Sequence, residues 1–179
     1  MHKVARAGAV ALVAVLFVLL VVHMATAQRG AAVAAAVAAG KQPAAPDFEL
    51  DRLDRVGTLK LSSLRGRVVV LNFWASWCHA CKDEARTLAA AAKQWQPRGV
   101  VFVGVDSQDF SSDARAFARR FGLRYADVHD GSGSLMTRYG VTGLPETWTV
   151  TRDGRLAAHI GGVADARRLG SAITRARRA

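Results

Sequence analysis

The chain has very little cysteine. Among its 179 residues only Cys78 and Cys81 are thiols, and they stand three positions apart. A scaffold of several disulfides is therefore excluded. A purely stabilising disulfide is a poor explanation as well, because so small a loop contributes about 2 kcal/mol, against nearly 5 kcal/mol for a loop of about 100 residues. The pair is better explained by chemistry that needs two adjacent thiols.

Further metal ligands are also scarce. His79 is the one histidine beside the thiols, and no second pair of ligands at zinc spacing accompanies them, whereas zinc sites take about four ligands. Covalent haem attachment needs a histidine directly after the second cysteine, where this chain has Lys82. We therefore expect no metal and no cofactor. A non-catalytic thiol or metal-binding module remains an alternative.

Acidic residues are few. The chain has 14 Asp and Glu against 25 Lys and Arg, a formal net charge of +11, which is compatible with nucleic acid or anionic membrane as a partner. The basic residues of the domain are scattered and do not form a groove-reading motif. We predict that the protein does not bind nucleic acid.

Charge is absent from residues 7–22, which follow Lys3 and Arg6. Residues 7–27 are long enough for the roughly 20 residues that a membrane-spanning helix needs. Ala25-Thr26-Ala27 also fits the cleavage site of a signal peptide. We predict a single-pass anchor with the domain on the extracytoplasmic, periplasmic side. Cleavage, which would leave a secreted domain, is the alternative.

Residues 28–45 are rich in alanine and lack an amphipathic pattern that would pack against a domain. We interpret them as a linker. The predicted organisation is thus a signal peptide or transmembrane anchor over residues 1–27, a linker over 28–45 and one domain over 46–179.

The pattern of apolar residues in the domain predicts an α/β fold. We expect a β-hairpin from 48–50 and 58–61, and buried strands at 67–74 and 100–106. Helices are predicted at 78–95, at 111–121 (capped by its serines) and at 164–178, with a short helical turn at 134–140. A second hairpin is predicted from 146–150 and 155–161.

The thiols follow the first buried strand and open the first helix of the domain. At a helix N-terminus, free backbone N–H groups and the helix dipole stabilise a thiolate. This favours Cys78 as the nucleophile. Cys81, one turn further, points back beneath Cys78 and is the candidate resolving thiol. The predicted chemistry is disulfide exchange with protein thiols.

NFWASWCHAC, followed by GLPETWTV, resembles the thioredoxin superfamily, and more narrowly its membrane-anchored extracytoplasmic TlpA, ResA and CcmG (DsbE) branch. The resemblance implies a thioredoxin-like fold with an N-terminal β-hairpin extension and a thiol-disulfide oxidoreductase activity. Cys78 and Cys81 would be the redox couple, and Pro145 would be the cis-proline that faces them. Peroxiredoxins are a related alternative, but Ala75 stands where they carry threonine.

The branch also implies partners. These are protein thiol or disulfide substrates, with apocytochrome c in cytochrome c maturation among them, and a membrane electron donor or oxidant partner. An oxidant that introduces disulfides into exported proteins is the alternative within this chemistry. Trp77, His79 and Leu144 are the candidate contacts to the substrate.

Two acids are candidate proton carriers. Thioredoxins carry a buried aspartate under the second cysteine, where this chain has Asn72, and many relatives have proline where it has Ala80. Glu84 shares a helix face with Cys81, at the spacing of a functional acid in ResA. Glu146 follows Pro145 and is expected opposite the pair, as in CcmG. The alternative for Glu84 is a surface residue paired with Lys82 or Arg86.

Overall fold

A long N-terminal helix precedes a mixed α/β unit in the computed structural model, which describes residues 2–179 and side-chain exposure from residue 12 onward. The helices are α1 (His2–Ala38), α2 (His79–Trp95), α3 (Ser111–Phe121), α4 (Ser134–Tyr139) and α5 (Ala166–Arg178). The strands are β1 (Glu49–Asp51), β2 (Thr58–Lys60), β3 (Val68–Trp74), β4 (Val100–Ser107), β5 (Ala126–Asp130), β6 (Glu146–Val150) and β7 (Leu156–Gly161).

The central sheet has the strand order β5-β4-β3-β6-β7. Strands β3, β4 and β5 are parallel to one another, and β6 is antiparallel to both of its neighbours, β3 and β7. Every residue of β3 is buried, as its β-branched run predicts for a central strand. The predicted N-terminal hairpin is confirmed, because β1 and β2 pair in antiparallel register. This arrangement is the predicted thioredoxin-like fold with its hairpin extension.

The two faces of the sheet are covered by different elements. On one face, α2 and α5 pack on alternate residues of β3 and β4, with Leu88 and Ile173 at the centre. On the other face, α4, the hairpin and the end of α1 cover a core that includes Phe73 and Trp148. The disulfide-bearing end of α2 packs with α3 around Phe117.

Strand β5 was not expected from the sequence. Its residues ADVHD include two aspartates and a histidine, an unusual composition for a strand. The strand forms because its backbone pairs with β4 and Val128 fills the core, while Asp127 and Asp130 are buried. Pairing in the sheet therefore overrides the low strand propensity of these residues.

The expected serine cap of α3 is wrong. The helix begins after Phe110, which makes no side-chain cap bond, and Ser111 lies inside the first turn. The oxygen that serves this end of the helix belongs to Asp109, whose carboxylate accepts the Phe110 N–H at 2.7 Å.

The alanine-rich segment differs from the free linker that its composition predicts. Helix α1 continues through it, and Gly30, Val33, Ala34 and Val37 form one stripe that packs on the domain. Gly30 allows the contact, because a Cβ there would lie 1.9 Å from the carbonyl oxygen of Thr137. The stripe is hard to recognise in the sequence, since alanine surrounds it on all sides. The domain boundaries themselves stay predictions.

Candidate active site

The thiols lie at the junction of β3 and α2. Cys78 is the N-cap of α2, and its Sγ accepts the backbone N–H of Cys81 at 3.1 Å. The two sulfurs are joined in a disulfide, with a Cα–Cα distance of 5.3 Å. Cys78 is 5% exposed and Cys81 2% exposed, so both are covered and Cys78 is the more accessible. After reduction, a Cys78 thiolate would still accept the hydrogen bond from the Cys81 N–H, which favours the charged form.

The segment before β6 brings Pro145 to this region. The Leu144–Pro145 peptide bond is cis, as the resemblance implies. Leu144 is half-buried and packs against the apolar cluster that contains both cysteines. The structure therefore brings Cys78, Cys81 and Leu144 together, although Leu144 lies more than sixty positions along the chain from the thiols.

The two tryptophans near the thiols differ in environment. Trp74 is buried and stacks on Phe117 with ring centroids 4.7 Å apart. Trp77 is 59% exposed, and its indole N–H donates to the carbonyl oxygen of Gln108 at 3.0 Å. Exposed Phe110 follows two residues after Gln108, and His79 is exposed at the start of α2. Trp77 and His79 are thus at the surface, where a substrate could contact them.

Glu84 is buried, with 1% of its surface exposed. Its two carboxylate oxygens accept hydrogen bonds from Asn72 Nδ2 and from the Ala164 N–H, both at 2.7 Å. Burial raises the pKa of Glu84 to about 7, against the opposing effect of these two bonds. The alternative of a surface residue paired with Lys82 or Arg86 is wrong, because the carboxylate points into the protein.

Asn72 links Glu84 to β6. Its amide also donates to the hydroxyl of Thr147 at 3.1 Å, and the two residues are paired between β3 and β6. Sequence reasoning missed Thr147, which accepts from Asn72, and Ala164, which donates to Glu84, because both come to this place only through the tertiary fold. A polar residue within the buried strand β6 was the one available signal for Thr147.

Glu146 is also buried, but its partners lie elsewhere. Its carboxylate accepts the Thr142 N–H at 3.1 Å and contacts Nε2 of His159 at 2.6 Å. Successive residues of a strand point to opposite faces. Because Thr147 points toward Asn72 and α2, Glu146 points to the opposite face of the sheet.

His159 is a second residue that sequence reasoning passed over. Its ring stacks on Trp148 with centroids 4.1 Å apart, and it reaches Glu146 across the β6-β7 hairpin. Among residues 12–179, whose side chains the structure describes, no group of three or more His, Cys, Asp or Glu could hold a metal ion.

Comparison with known proteins places these features in a family. A family model for the AhpC/TSA family matches residues 42–159. The chain belongs to the AhpC/TSA family. The match begins shortly before the hairpin extension and includes the thiols and Glu146, and it ends in β7 at His159.

Relatives within this family are named for disulfide exchange. The chain is 34% identical over 127 residues to the thiol-disulfide oxidoreductase ResA of Geobacillus thermodenitrificans, which covers 71% of this chain and 71% of that protein. It is 32% identical over 133 residues to ResA of Bacillus subtilis, covering 71% of this chain and 73% of that protein.

A solved structure agrees with this assignment. A putative thiol:disulfide interchange protein DsbE from Chlorobium tepidum superposes with a TM-score of 0.69 at 29% identity, covering 75% of this chain and 96% of that one. The predicted ResA and DsbE resemblance is confirmed. With the Cys78–Cys81 pair in place, this member of the AhpC/TSA family is a thiol-disulfide oxidoreductase whose substrates are protein thiols and disulfides.

Proposed function

We propose that the protein is an extracytoplasmic, membrane-anchored reductant of protein disulfides that acts on apocytochrome c during cytochrome c maturation. The observation that carries the proposal is the placement of Cys78 as the N-cap of α2, with buried Glu84 one turn beyond Cys81. In this arrangement the helix N-terminus stabilises the Cys78 thiolate, and Glu84 is available to accept the proton of Cys81.

In the proposed reaction the reduced Cys78 thiolate attacks one sulfur of the client disulfide. A mixed disulfide forms and one client thiolate leaves. Cys81 then loses its proton and attacks the Cys78 sulfur, which closes the Cys78–Cys81 disulfide and releases the second client thiolate. Two electrons pass from the pair to the client. Glu84 takes the Cys81 proton, a task that suits a group with a pKa of about 7.

The surroundings of Cys81 favour a reductant over an oxidant. A strong oxidant needs a reduced form that is strongly stabilised. Here the Cys81 thiolate would form in a buried place beside the Glu84 carboxylate, and burial and a like charge both disfavour a thiolate. Cys81 therefore stays a neutral thiol, and only the Cys78 thiolate stabilises the reduced pair. The proposed reductant role predicts a potential more negative than that of a strong oxidant.

Exposed and half-buried groups around the disulfide are the proposed client contacts. Trp77 and His79 present an aromatic ring and an imidazole at the surface, and Leu144 borders the thiol cluster next to Pro145. Glu146 is proposed to act on the same loop, because it holds the Thr142 N–H just before Leu144.

A trapping experiment tests the proposed roles. The full-length Cys81→Ser protein in detergent should accumulate a mixed disulfide with an oxidised Cys-x-x-Cys-His peptide, and Cys78→Ser should accumulate almost none. Equal trapping by the two variants contradicts the assignment. A glutathione titration then separates the functions, because a reductant is expected near the roughly −270 mV of thioredoxin and an oxidant near the roughly −120 mV of DsbA.

We infer a retained anchor from α1. Its part from Leu12 to Ala38 is long and apolar enough to cross a membrane, and the last turns of this part carry the stripe that packs on α4. A retained anchor predicts that the protein stays with membranes after a high-salt wash and that its N-terminus precedes Ala27. A mature N-terminus at Gln28 would contradict the anchor and leave the exchange chemistry intact.

A further inference from the structure

The residues just ahead of the nucleophile are held by a loop that follows β4. The Asp109 carboxylate accepts the backbone N–H of Ser76 at 2.5 Å and the Ser76 hydroxyl at 3.0 Å. The neighbouring Gln108 carbonyl accepts the indole N–H of Trp77 at 3.0 Å. Both residues that directly precede Cys78 are therefore fixed by one short segment.

That segment has an uncommon backbone. Gln108 has a φ of +52°, the one positive value at a non-glycine residue within residues 2–179. Residues other than glycine rarely adopt this backbone conformation. The Gln108 N–H donates to the Asp130 carbonyl at 3.1 Å, and Asp109 also accepts the Phe110 N–H. The loop is thereby tied to both β5 and α3.

Asp106, a buried acid three residues before Asp109, contacts a histidine of β5. Asp106 is fully buried, and one of its oxygens lies 2.7 Å from Nδ1 of His129. Its other oxygen, Oδ1, is buried and has no donor among the described residues. Burial raises the pKa of Asp106, the hydrogen bond from His129 lowers it, and the neighbouring carboxylate of Asp109 raises it further. The buried Asp106 carboxyl therefore favours its protonated form.

We propose that Asp109 is a positioning residue for disulfide exchange: it holds Ser76, while the adjacent Gln108 carbonyl holds Trp77, so that Cys78 meets the client in an attacking geometry. The proposal rests on the proposed exchange through Cys78. Asp109 does not touch the sulfurs, so its loss should slow reaction with a protein disulfide without removing the thiolate.

The test compares Asp109→Asn with Asp113→Asn in the full-length reduced protein in detergent. Asp113 is an exposed acid four positions on, and its carboxylate bonds only to the Ser112 hydroxyl, so it controls for the lost charge. Two quantities are measured for each: the rate of exchange with the oxidised Cys-x-x-Cys-His peptide, and the pH midpoint of Cys78 alkylation.

We expect Asp109→Asn to exchange about tenfold more slowly, which corresponds to about 1.4 kcal/mol, with a Cys78 midpoint that stays in place or falls. Slower exchange without loss of thiolate is the signature of positioning, and Asp113→Asn should match the wild type. An unchanged Asp109→Asn rate, or a midpoint raised to that of an ordinary thiol, overturns the proposal. A wild-type protein that does not exchange with the oxidised Cys-x-x-Cys-His peptide would instead reject the proposed function.

Discussion

Glu84 and Glu146 are both buried acids, yet they face opposite sides of the same sheet. Glu84 lies on α2, points into the protein and accepts hydrogen bonds from two uncharged donors, Asn72 and Ala164. Glu146 points to the other face and meets the imidazole of His159. Burial alone therefore does not define the role of an acid. In the proposed mechanism Glu84 exchanges a proton with Cys81, whereas Glu146 holds the loop that contains Thr142.

The largest expected difference between the two acids is in stability. Glu84→Ala would leave two buried donors without an acceptor and open a cavity, which should lower the free energy of unfolding by about 3 to 5 kcal/mol at pH 5. Glu146→Ala should lower the free energy of unfolding by about 1 to 2 kcal/mol. It leaves only the Thr142 N–H near the surface without its acceptor, and His159 stays partly solvated. Urea denaturation of the full-length variants in detergent measures both values. Equal losses would contradict the comparison.

The pH dependence of stability sharpens the comparison further. The pKa of Glu84 rises from 4.5 to about 7 on folding, so the folded state binds its proton more tightly than the unfolded state. Stability from this group is therefore greatest below about pH 4.5, and about 3 kcal/mol is lost as the pH rises to 7. Asp106 and Asp127 add to the loss in the same direction, because burial raises their pKa as well.

Glu84→Gln should remove the Glu84 share of this loss. The difference in unfolding free energy between pH 5 and pH 8 should shrink by about 2.5 kcal/mol relative to the wild type. Glu146→Gln is the matched control and should retain the full difference, since it leaves Glu84 in place. The idea fails if the two variants show the same slope.

Much of this site followed from the sequence, and the remainder did not for identifiable reasons. The strand before the thiols, helix α2 and the position of Pro145 came from local patterns and motifs. The contrast between the two acids could not be predicted in this way. The spacing of Glu84 from Cys81 does not reveal that Asn72 and Ala164 donate hydrogen bonds to Glu84. The side of the sheet that Glu146 occupies depends on the register between β3 and β6, and this register joins residues about 75 positions apart.

The same limit applies to the segments with unexpected structure. In α1 the packing stripe consists of Gly30, Val33, Ala34 and Val37. Its neighbours in the sequence are mostly alanine, so no alternation of polar and apolar residues marks the stripe. In β5 the polar composition hides a strand that exists through its pairing with β4. Where a structure depends on a partner distant in sequence, local periodicity carries little information.

A smaller effect on stability is expected from His159, the partner of Glu146. His159→Phe keeps a ring stacked on Trp148 and removes the nitrogen that contacts Glu146. Because the imidazole is partly exposed, we expect a loss of about 0.5 to 1 kcal/mol in unfolding free energy, with no change in the Cys81 alkylation profile. A profile shifted by His159→Phe would mean that the Glu146 side does communicate with the thiols.

The most direct test of the account is alkylation of the reduced full-length protein across pH 5 to 10, with Cys78 and Cys81 read separately by mass. A carboxylate one helical turn from Cys81 disfavours its thiolate and adds a second inflection near its own pKa. We therefore predict that Glu84→Gln gives Cys81 a single inflection at lower pH than the wild type, while Glu146→Gln overlays the wild type. A Glu84→Gln profile that matches the wild type at Cys81 would contradict the proposed role of Glu84 as the proton acceptor.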